Sequence, residues 1–171
     1  MINSVPSDTT QRMIKQPLPQ PIVQLANQIQ TKLQTDLGLS LDINHALINE
    51  YTPGQGIMAH TDGSAYKPIV CTLTTGGAQV LNILSVDECG SRKCVKKVYL
   101  ERRALNVLFD DAYDHLHEIE EIKSDRIDET IANIGLVKTS LYGKDIPRQT
   151  RTSFTLREVK NAIKKPKFLR F

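Results

Sequence analysis

The spacing of hydrophobic residues along the chain changes once, at Gly38. Before it, apolar residues recur every three or four positions, which predicts one amphipathic helix that begins near Pro19 and Pro21. Gly38 is a typical residue for the C-terminal end of such a helix. The apolar stripe consists of Ile22, Leu25, Ile29, Leu33 and Leu37.

After Gly38, apolar and polar residues alternate with a period of two, which is typical of strands. Glycines and prolines separate the alternating segments. One helix followed by short strands predicts a mainly β protein, a barrel or sandwich rather than a parallel sheet with crossover helices. The predicted strands are 43–51, 57–62, 69–75, 78–84, 96–100, 104–109, 115–122 and 149–158.

Two further segments differ from this pattern. Residues 1–20 are rich in Pro, Gln, Ser and Thr and predict a flexible arm. The stretch 124–135 carries Ile127, Ile131 and Ile134 at helical spacing, which predicts a short helix.

The composition is that of one domain of 171 residues, with 40% hydrophobic and 24% charged residues. No apolar run approaches the roughly 18 residues of a membrane helix, and the N-terminus does not resemble a secretory signal. The three cysteines cannot all pair internally, which favours a reducing compartment. We expect an intracellular monomer of the cytoplasm, the nucleus or both, without a structural zinc site.

The net charge of +3 is unevenly distributed. Residues 138–171 contain ten Lys or Arg and only two acids. This basic end predicts an anionic partner such as nucleic acid, although a solvated C-terminal tail explains the same pattern. The tail residues concerned are Lys160, Lys164, Lys165, Lys167 and Arg170.

The last predicted strand has two interpretations. Arg151, Ser153 and Arg157 share one face with Gln149 and Thr155, and the apolar residues occupy the other face. A surface strand with solvated charges explains this pattern. The alternative is a row of functional side chains.

The segment His60-Thr61-Asp62 places an imidazole and a carboxylate on one face of a strand. These are two members of a facial triad of two histidines and one carboxylate, which holds non-haem Fe(II) and leaves positions open. His115 and His117, on a later strand, are both candidates for the third ligand. Taken alone, the HxD pattern is weak.

A core segment and four later motifs, in this order along the chain, resemble one family. The segment from Asn49 to Gly63 resembles the NxYxPG…HxDG core of the AlkB-type 2-oxoglutarate- and Fe(II)-dependent dioxygenases, and most of all the AlkB homolog six branch. The resemblance covers roughly residues 17 to 160. The later motifs are Leu100-Glu101-Arg102-Arg103, Ala112-Tyr113, Leu116-His117-Glu118-Ile119 and Arg151-x-Ser153-x-Thr155-x-Arg157.

The resemblance implies a double-stranded β-helix, a jelly roll of about eight antiparallel strands with one N-terminal helix. It implies that His60, Asp62 and His117 bind the iron, with His115 as the rival third ligand. Arg151, helped by Tyr51, would bind the distal carboxylate of 2-oxoglutarate through its planar guanidinium.

The resemblance gives other residues supporting roles. Asn49 and Arg157 would lie nearer the metal, and Ser153 would add a hydrogen bond. The distance along the strand makes Arg157 the less secure assignment as a co-substrate ligand, because six residues of ideal strand span about 20 Å. Tyr66 and Met58 are candidates for the substrate pocket, and Met58 fits equally well as a core residue.

The implied reaction uses Fe(II), 2-oxoglutarate and O2 to couple decarboxylation to hydroxylation. On an N-methyl group of DNA or RNA this gives oxidative demethylation. Relatives carry several tens of residues before the region matching Pro17-Leu18-Pro19, including part of a nucleotide-recognition lid. We therefore expect a complete co-substrate pocket, an incomplete substrate-recognition half, and turnover uncoupled from a nucleic-acid product.

The resemblance and the composition together divide the chain into three parts: an arm (1–20), a dioxygenase domain (21–160) and a basic tail (161–171).

Two alternatives to a nucleic-acid oxygenase stay open. One is a protein or small-molecule hydroxylase on the same metal site. The other is a non-catalytic nucleic-acid-binding relic, whose binding would depend steeply on salt.

Overall fold

The structure, a computed structural model, describes residues 14–164. Its α-helices are α1 (Gln20–Leu37) and α2 (Asp111–Asp114), and two 3-10 turns lie at Ile134–Leu136 and Thr139–Leu141. The strands are β1 (Ile14–Lys15), β2 (His45–Tyr51), β3 (Ile57–His60), β4 (Tyr66–Gly76), β5 (Gln79–Val86), β6 (Arg92–Leu100), β7 (Leu105–Phe109), β8 (Leu116–Ile119), β9 (Ser124–Ile127), β10 (Lys144–Pro147), β11 (Arg151–Val159) and β12 (Ile163–Lys164).

Two four-stranded antiparallel sheets form the body of the fold. The major sheet has the order β2-β11-β4-β7 and the minor sheet the order β3-β8-β5-β6. Strands adjacent in a sheet are distant in sequence, as in a jelly roll. The predicted double-stranded β-helix is confirmed, and each of the eight predicted strands overlaps an observed one.

Helix α1 covers the outer face of the major sheet. It begins after Pro19 and ends at Gly38, whose φ of 67° is a left-handed conformation that glycine adopts without strain. Its stripe buries Ala26, Ile29 and Leu33 against a cluster that includes Leu156 of β11. The central strand β11 is therefore covered on its outer side by the helix.

The predicted helix over 124–135 is wrong. Residues Ser124–Ile127 form a strand that pairs with Lys144–Pro147, and the chain then turns. The Asp128 carboxylate accepts hydrogen bonds from the backbone N–H and the hydroxyl of Thr130, which favours a turn over a helix. Ile127 and Ile131 are nevertheless buried, because this segment packs on the outer face of the minor sheet.

A buried ion pair anchors this outer layer. The Arg148 guanidinium donates two hydrogen bonds of 2.7 Å to the Asp125 carboxylate and a third of 2.6 Å to the carbonyl of Glu120. Both side chains are almost completely buried. A bidentate pair of this kind fixes the chain just before β11.

The structure covers little of the two predicted chain ends. Most of the arm (1–13) and most of the basic tail (165–171) lie outside the described residues. Lys160 folds back and donates a hydrogen bond to the carbonyl of Ser64. The three cysteines are free. Within residues 14–164, no helix has the length and apolar character needed to cross a membrane.

Two leucines of α1 provide a test of the packing. Leu33 is 2% exposed and Leu37 is 49% exposed. We expect Leu33→Ala to lower the free energy of unfolding by about 2–5 kcal/mol, because it leaves a cavity in the core. Leu37→Ala serves as the matched control and should cost much less. Urea denaturation of both variants measures the difference, and equal losses would contradict the packing of α1.

Candidate active site

The two sheets enclose a cavity of about 90 Å³, large enough for several water molecules or a small ligand. Its walls combine aliphatic side chains with polar and charged ones. All eight predicted site residues line it: Asn49, Tyr51, His60, Asp62, His117, Arg151, Ser153 and Arg157. The cavity thus brings together residues that are up to 108 positions apart in the printed sequence, from Asn49 to Arg157.

Strand pairing explains how the major sheet supplies its side of the cavity. Arg151 lies opposite Tyr51, and Ser153 lies opposite Asn49, in the register of β11 and β2. Directly paired residues share a face, so all four side chains point to the same side of the sheet. The surface-strand interpretation of β11 is wrong, since Arg151 and Ser153 are each 2% exposed.

Arg151 is a buried cation without a carboxylate partner in the described chain. Its Nε and Nη2 donate hydrogen bonds of 3.3 and 3.0 Å to the Thr74 hydroxyl. Its guanidinium carbon lies 5.7 Å from the centre of the Tyr51 ring. Burial lowers the pKa of Arg151 to about 10, because the charged form loses hydration. A buried cation held this way has donor capacity left for an anion.

The minor sheet supplies two imidazoles. His60 of β3 pairs directly with His117 of β8, and their ring centres are 4.4 Å apart. His60 Nδ1 lies 2.8 Å from the carbonyl oxygen of Met58. A carbonyl only accepts, so Nδ1 carries the proton of this contact, and Nε2 is the ring nitrogen left for metal ligation.

The surroundings of His117 favour its neutral form. Burial lowers its pKa, and the neighbouring His60 lowers it further. His115, the rival ligand, lies outside the cavity, where its Nδ1 is 2.6 Å from the carbonyl of Asp111. The geometry therefore places His117, rather than His115, beside His60.

Asp62 joins the two sheets. Its Oδ1 accepts a hydrogen bond of 2.6 Å from Arg157 Nη1, and its Oδ2 lies 3.6 Å from His117 Nε2. The Asp62 and Arg157 side chains are 6% and 8% exposed. Arg157 is thus engaged with a protein carboxylate at the histidine end of the cavity, and one Asp62 oxygen remains directed toward the imidazoles.

The donor set fits a divalent metal of intermediate softness, because two imidazoles and one carboxylate face the same space. Their present arrangement is not a finished coordination sphere. Among residues 14–164, no group of three or more His, Cys, Asp or Glu side chains has metal-binding geometry. Binding of a metal by His60, Asp62 and His117 would therefore require a side-chain adjustment.

Arg157 also contacts an aromatic ring that the motifs did not identify as its partner. Its guanidinium carbon lies 4.1 Å from the centre of the Tyr66 ring, a cation–π contact. The His45 ring is 5.3 Å from that of Tyr66, and burial, with a smaller contribution from the Arg157 charge, lowers the pKa of His45. Tyr66 is buried beneath Arg157 and does not line the cavity, while Met58 is 85% exposed and is not a core residue.

Thr74 was missed at the level of sequence. It is completely buried on β4 and lies opposite Ser153 in the register with β11. Only the pairing of β4 with β11 brings its hydroxyl to Arg151. An isolated threonine in an alternating segment carries no signal of that contact.

Comparison of the sequence with known proteins shows which family this chain resembles. The chain is 34% identical over 135 residues to the "Probable RNA/DNA demethylase ALKBH6" of Danio rerio, over 74% of this chain and 57% of that protein. The chain is AlkB-like. The predicted similarity to AlkB homolog six is thereby confirmed. No protein-family model matches the chain.

Two further matches accompany this AlkB-like chain. An uncharacterized protein of Acanthamoeba polyphaga mimivirus is 31% identical over 115 residues, covering 66% of the chain and 47% of that protein. The solved structure of OsALKBH1 aligns with a TM-score of 0.47 at 16% identity, over 81% of the chain and 60% of that structure. The AlkB-like chain spans about half the length of the curated relatives it matches.

The unpaired charge of Arg151 predicts a stability effect. We expect Arg151→Met to raise the free energy of unfolding of the ligand-free protein by about 1 kcal/mol or more, because a buried cation without a counter-ion is removed. Arg148→Met is the matched control: it leaves Asp125 buried and unpaired and should cost about 3–5 kcal/mol. Thermal and urea denaturation measure both changes. A destabilised Arg151→Met protein would contradict this account of the charge.

Substitution of His117 and substitution of His115 should have different effects on metal binding, because only His117 lies beside His60. Titration with Co(II) in the absence of oxygen should show that His117→Ala loses more affinity than the roughly 10–100-fold cost of an outer partner. His115→Ala should bind like the wild type. The reverse order would assign the third ligand to His115 instead of His117.

Proposed function

We propose that this AlkB-like chain is an Fe(II)- and 2-oxoglutarate-dependent oxygenase that acts on nucleic acid. The observation that carries the proposal is Arg151, a buried cation in the same cavity as two imidazoles and a carboxylate. A small anion that also ligates a metal would satisfy both ends of that cavity. A 2-oxo dicarboxylate has this chemistry.

The deep end of the cavity binds the distal carboxylate in this proposal. Arg151 offers a planar set of donors that matches a carboxylate, and Thr74 fixes the guanidinium by accepting two of its hydrogen bonds. Tyr51 lies on the same side, opposite Arg151 in the sheet. Binding of the anion replaces the hydration that Arg151 lost on burial.

The other end holds the metal in this proposal. His60, Asp62 and His117 would be its protein ligands, and Arg157 would keep Asp62 in place through the bond to Oδ1. Fe(II) supplies the redox chemistry that couples O2 and decarboxylation of 2-oxoglutarate to hydroxylation. The protein contributes orientation, because the Met58 carbonyl accepts a hydrogen bond from His60 Nδ1 and holds that ring in place.

Nucleic acid is the proposed substrate class, with removal of an N-methyl group through hydroxylation and loss of formaldehyde. Support comes from the similarity to a probable RNA/DNA demethylase. A protein or small-molecule hydroxylase on the same site is the alternative. Product analysis on methylated oligonucleotides and on peptides separates the two.

The test is succinate formation from 2-oxoglutarate with Fe(II), ascorbate and air. We expect turnover by the wild type and at least a hundredfold loss in Asp62→Ala, because a metal ligand and the partner of Arg157 are lost together. His115→Ala is the control and should keep wild-type turnover. Arg151→Lys should raise the KM for 2-oxoglutarate, since a point charge replaces the planar fork.

The outcomes separate the possibilities. No succinate from the wild type, with iron bound and oligonucleotides present, would refute the oxygenase. Succinate without any change in the oligonucleotide would support the oxygenase chemistry and reject nucleic acid as its substrate.

A further inference from the structure

One row of paired residues crosses the whole minor sheet. His60 pairs with His117, His117 pairs with Ile83, and Ile83 pairs with Lys96. Because directly paired residues of neighbouring strands share a face, Lys96 projects from the same face as the two imidazoles. At about 4.8 Å per strand, its Cα lies roughly 10 Å from that of His117.

Lys93 continues this face beyond the row. It pairs with Ser85, two residues after Ile83 on β5, and Val95 forms a bulge between the two lysines. Both lysines are exposed. In the part of the chain that the structure describes, neither side chain forms an ion pair or a hydrogen bond. The Asp87 carboxylate nearby accepts hydrogen bonds from the backbone N–H groups of Cys89 and Ser91.

The β5–β6 hairpin extends past the open end of the cavity. Strand β5 is antiparallel to β8, which is antiparallel to β3, so β5 runs parallel to β3. The residues after Ile83 therefore project beyond His60, away from the deep end. Arg151 at the deep end is 2% exposed, whereas His60 and His117 are partly exposed, so the histidine end is the more accessible of the two.

We propose that Lys93 and Lys96 of the β5–β6 hairpin bind the phosphate backbone of a single-stranded nucleic acid whose reacting base enters the cavity. The inference rests on the proposed function, since it assigns the strand-binding surface of that same site. Two ammonium groups with no protein partner, at the rim and on the ligand face, complement backbone phosphates on either side of one nucleotide. Lysine suits this role because it binds phosphate as a flexible point charge.

The experiment measures binding of short, fluorescently labelled single-stranded DNA and RNA by anisotropy, over a series of salt concentrations. The full chain carries Lys93→Ala with Lys96→Ala, or Lys138→Ala with Lys144→Ala as the control. The control lysines are exposed and lie in the 124–147 segment, which packs on the opposite face of the minor sheet. Both variants lose the same charge.

We expect the hairpin variant to reduce the magnitude of the slope of log K against log salt by about 1.4, since each phosphate contact on a single strand contributes about 0.7. The control should keep the wild-type slope. Thermal melting checks that both variants fold. Equal losses in the two variants would overturn the proposal, because binding would then depend only on net charge.

The remaining outcomes distinguish this proposal from the proposed function. Wild-type protein that binds no oligonucleotide overturns the phosphate surface, even if succinate is formed. Wild-type protein that binds through the hairpin lysines but forms no succinate supports the surface and refutes the oxygenase.

Discussion

The ion pair between Arg157 and Asp62 is the constraint on which the site depends. Arg157 belongs to the central strand of the major sheet, and Asp62 follows the edge strand of the minor sheet. Both side chains are buried, so removing either would leave an uncompensated charge. The pair fixes one carboxylate oxygen and thereby directs the other toward His117. One contact between the two sheets therefore also orients the candidate metal ligand.

Strand β11 carries two arginines inward with opposite consequences. Arg157 has a carboxylate partner and the Tyr66 ring beside it, whereas Arg151 has a hydroxyl and a ring but no carboxylate among the described residues. Such a strand is stable only because its other face is well packed, with Leu156 completely buried under α1. The helix therefore supports the cavity indirectly, by compensating the cost of polar burial on the inner face.

Much of the fold was predictable because alternation and helical spacing report burial directly. The helix, its end at Gly38 and all eight strands of the two sheets followed from that signal. It failed over 124–135, where Ile127 and Ile131 are buried by a turn on the minor sheet rather than by a helix. The site was identifiable through ordered motifs, but Thr74 was not, because its contact with Arg151 depends on strand register. The surface interpretation of β11 failed for the same reason, since alternation cannot show whether both faces are covered.

The structure also explains how Arg151 and Arg157 can both serve the cavity although they lie far apart along β11. Arg151 and Arg157 are six residues apart, about 20 Å along an extended strand, which is too far for one small dicarboxylate to join their backbones. The structure removes the need for such a bridge, because Asp62 already satisfies Arg157. Of the charged side chains that the structure describes in the cavity, only Arg151 is buried without an oppositely charged partner, which is why the proposed anion site lies at the deep end. The histidine end, more exposed and not yet closed into a coordination sphere, is left free to adjust to what enters from the mouth.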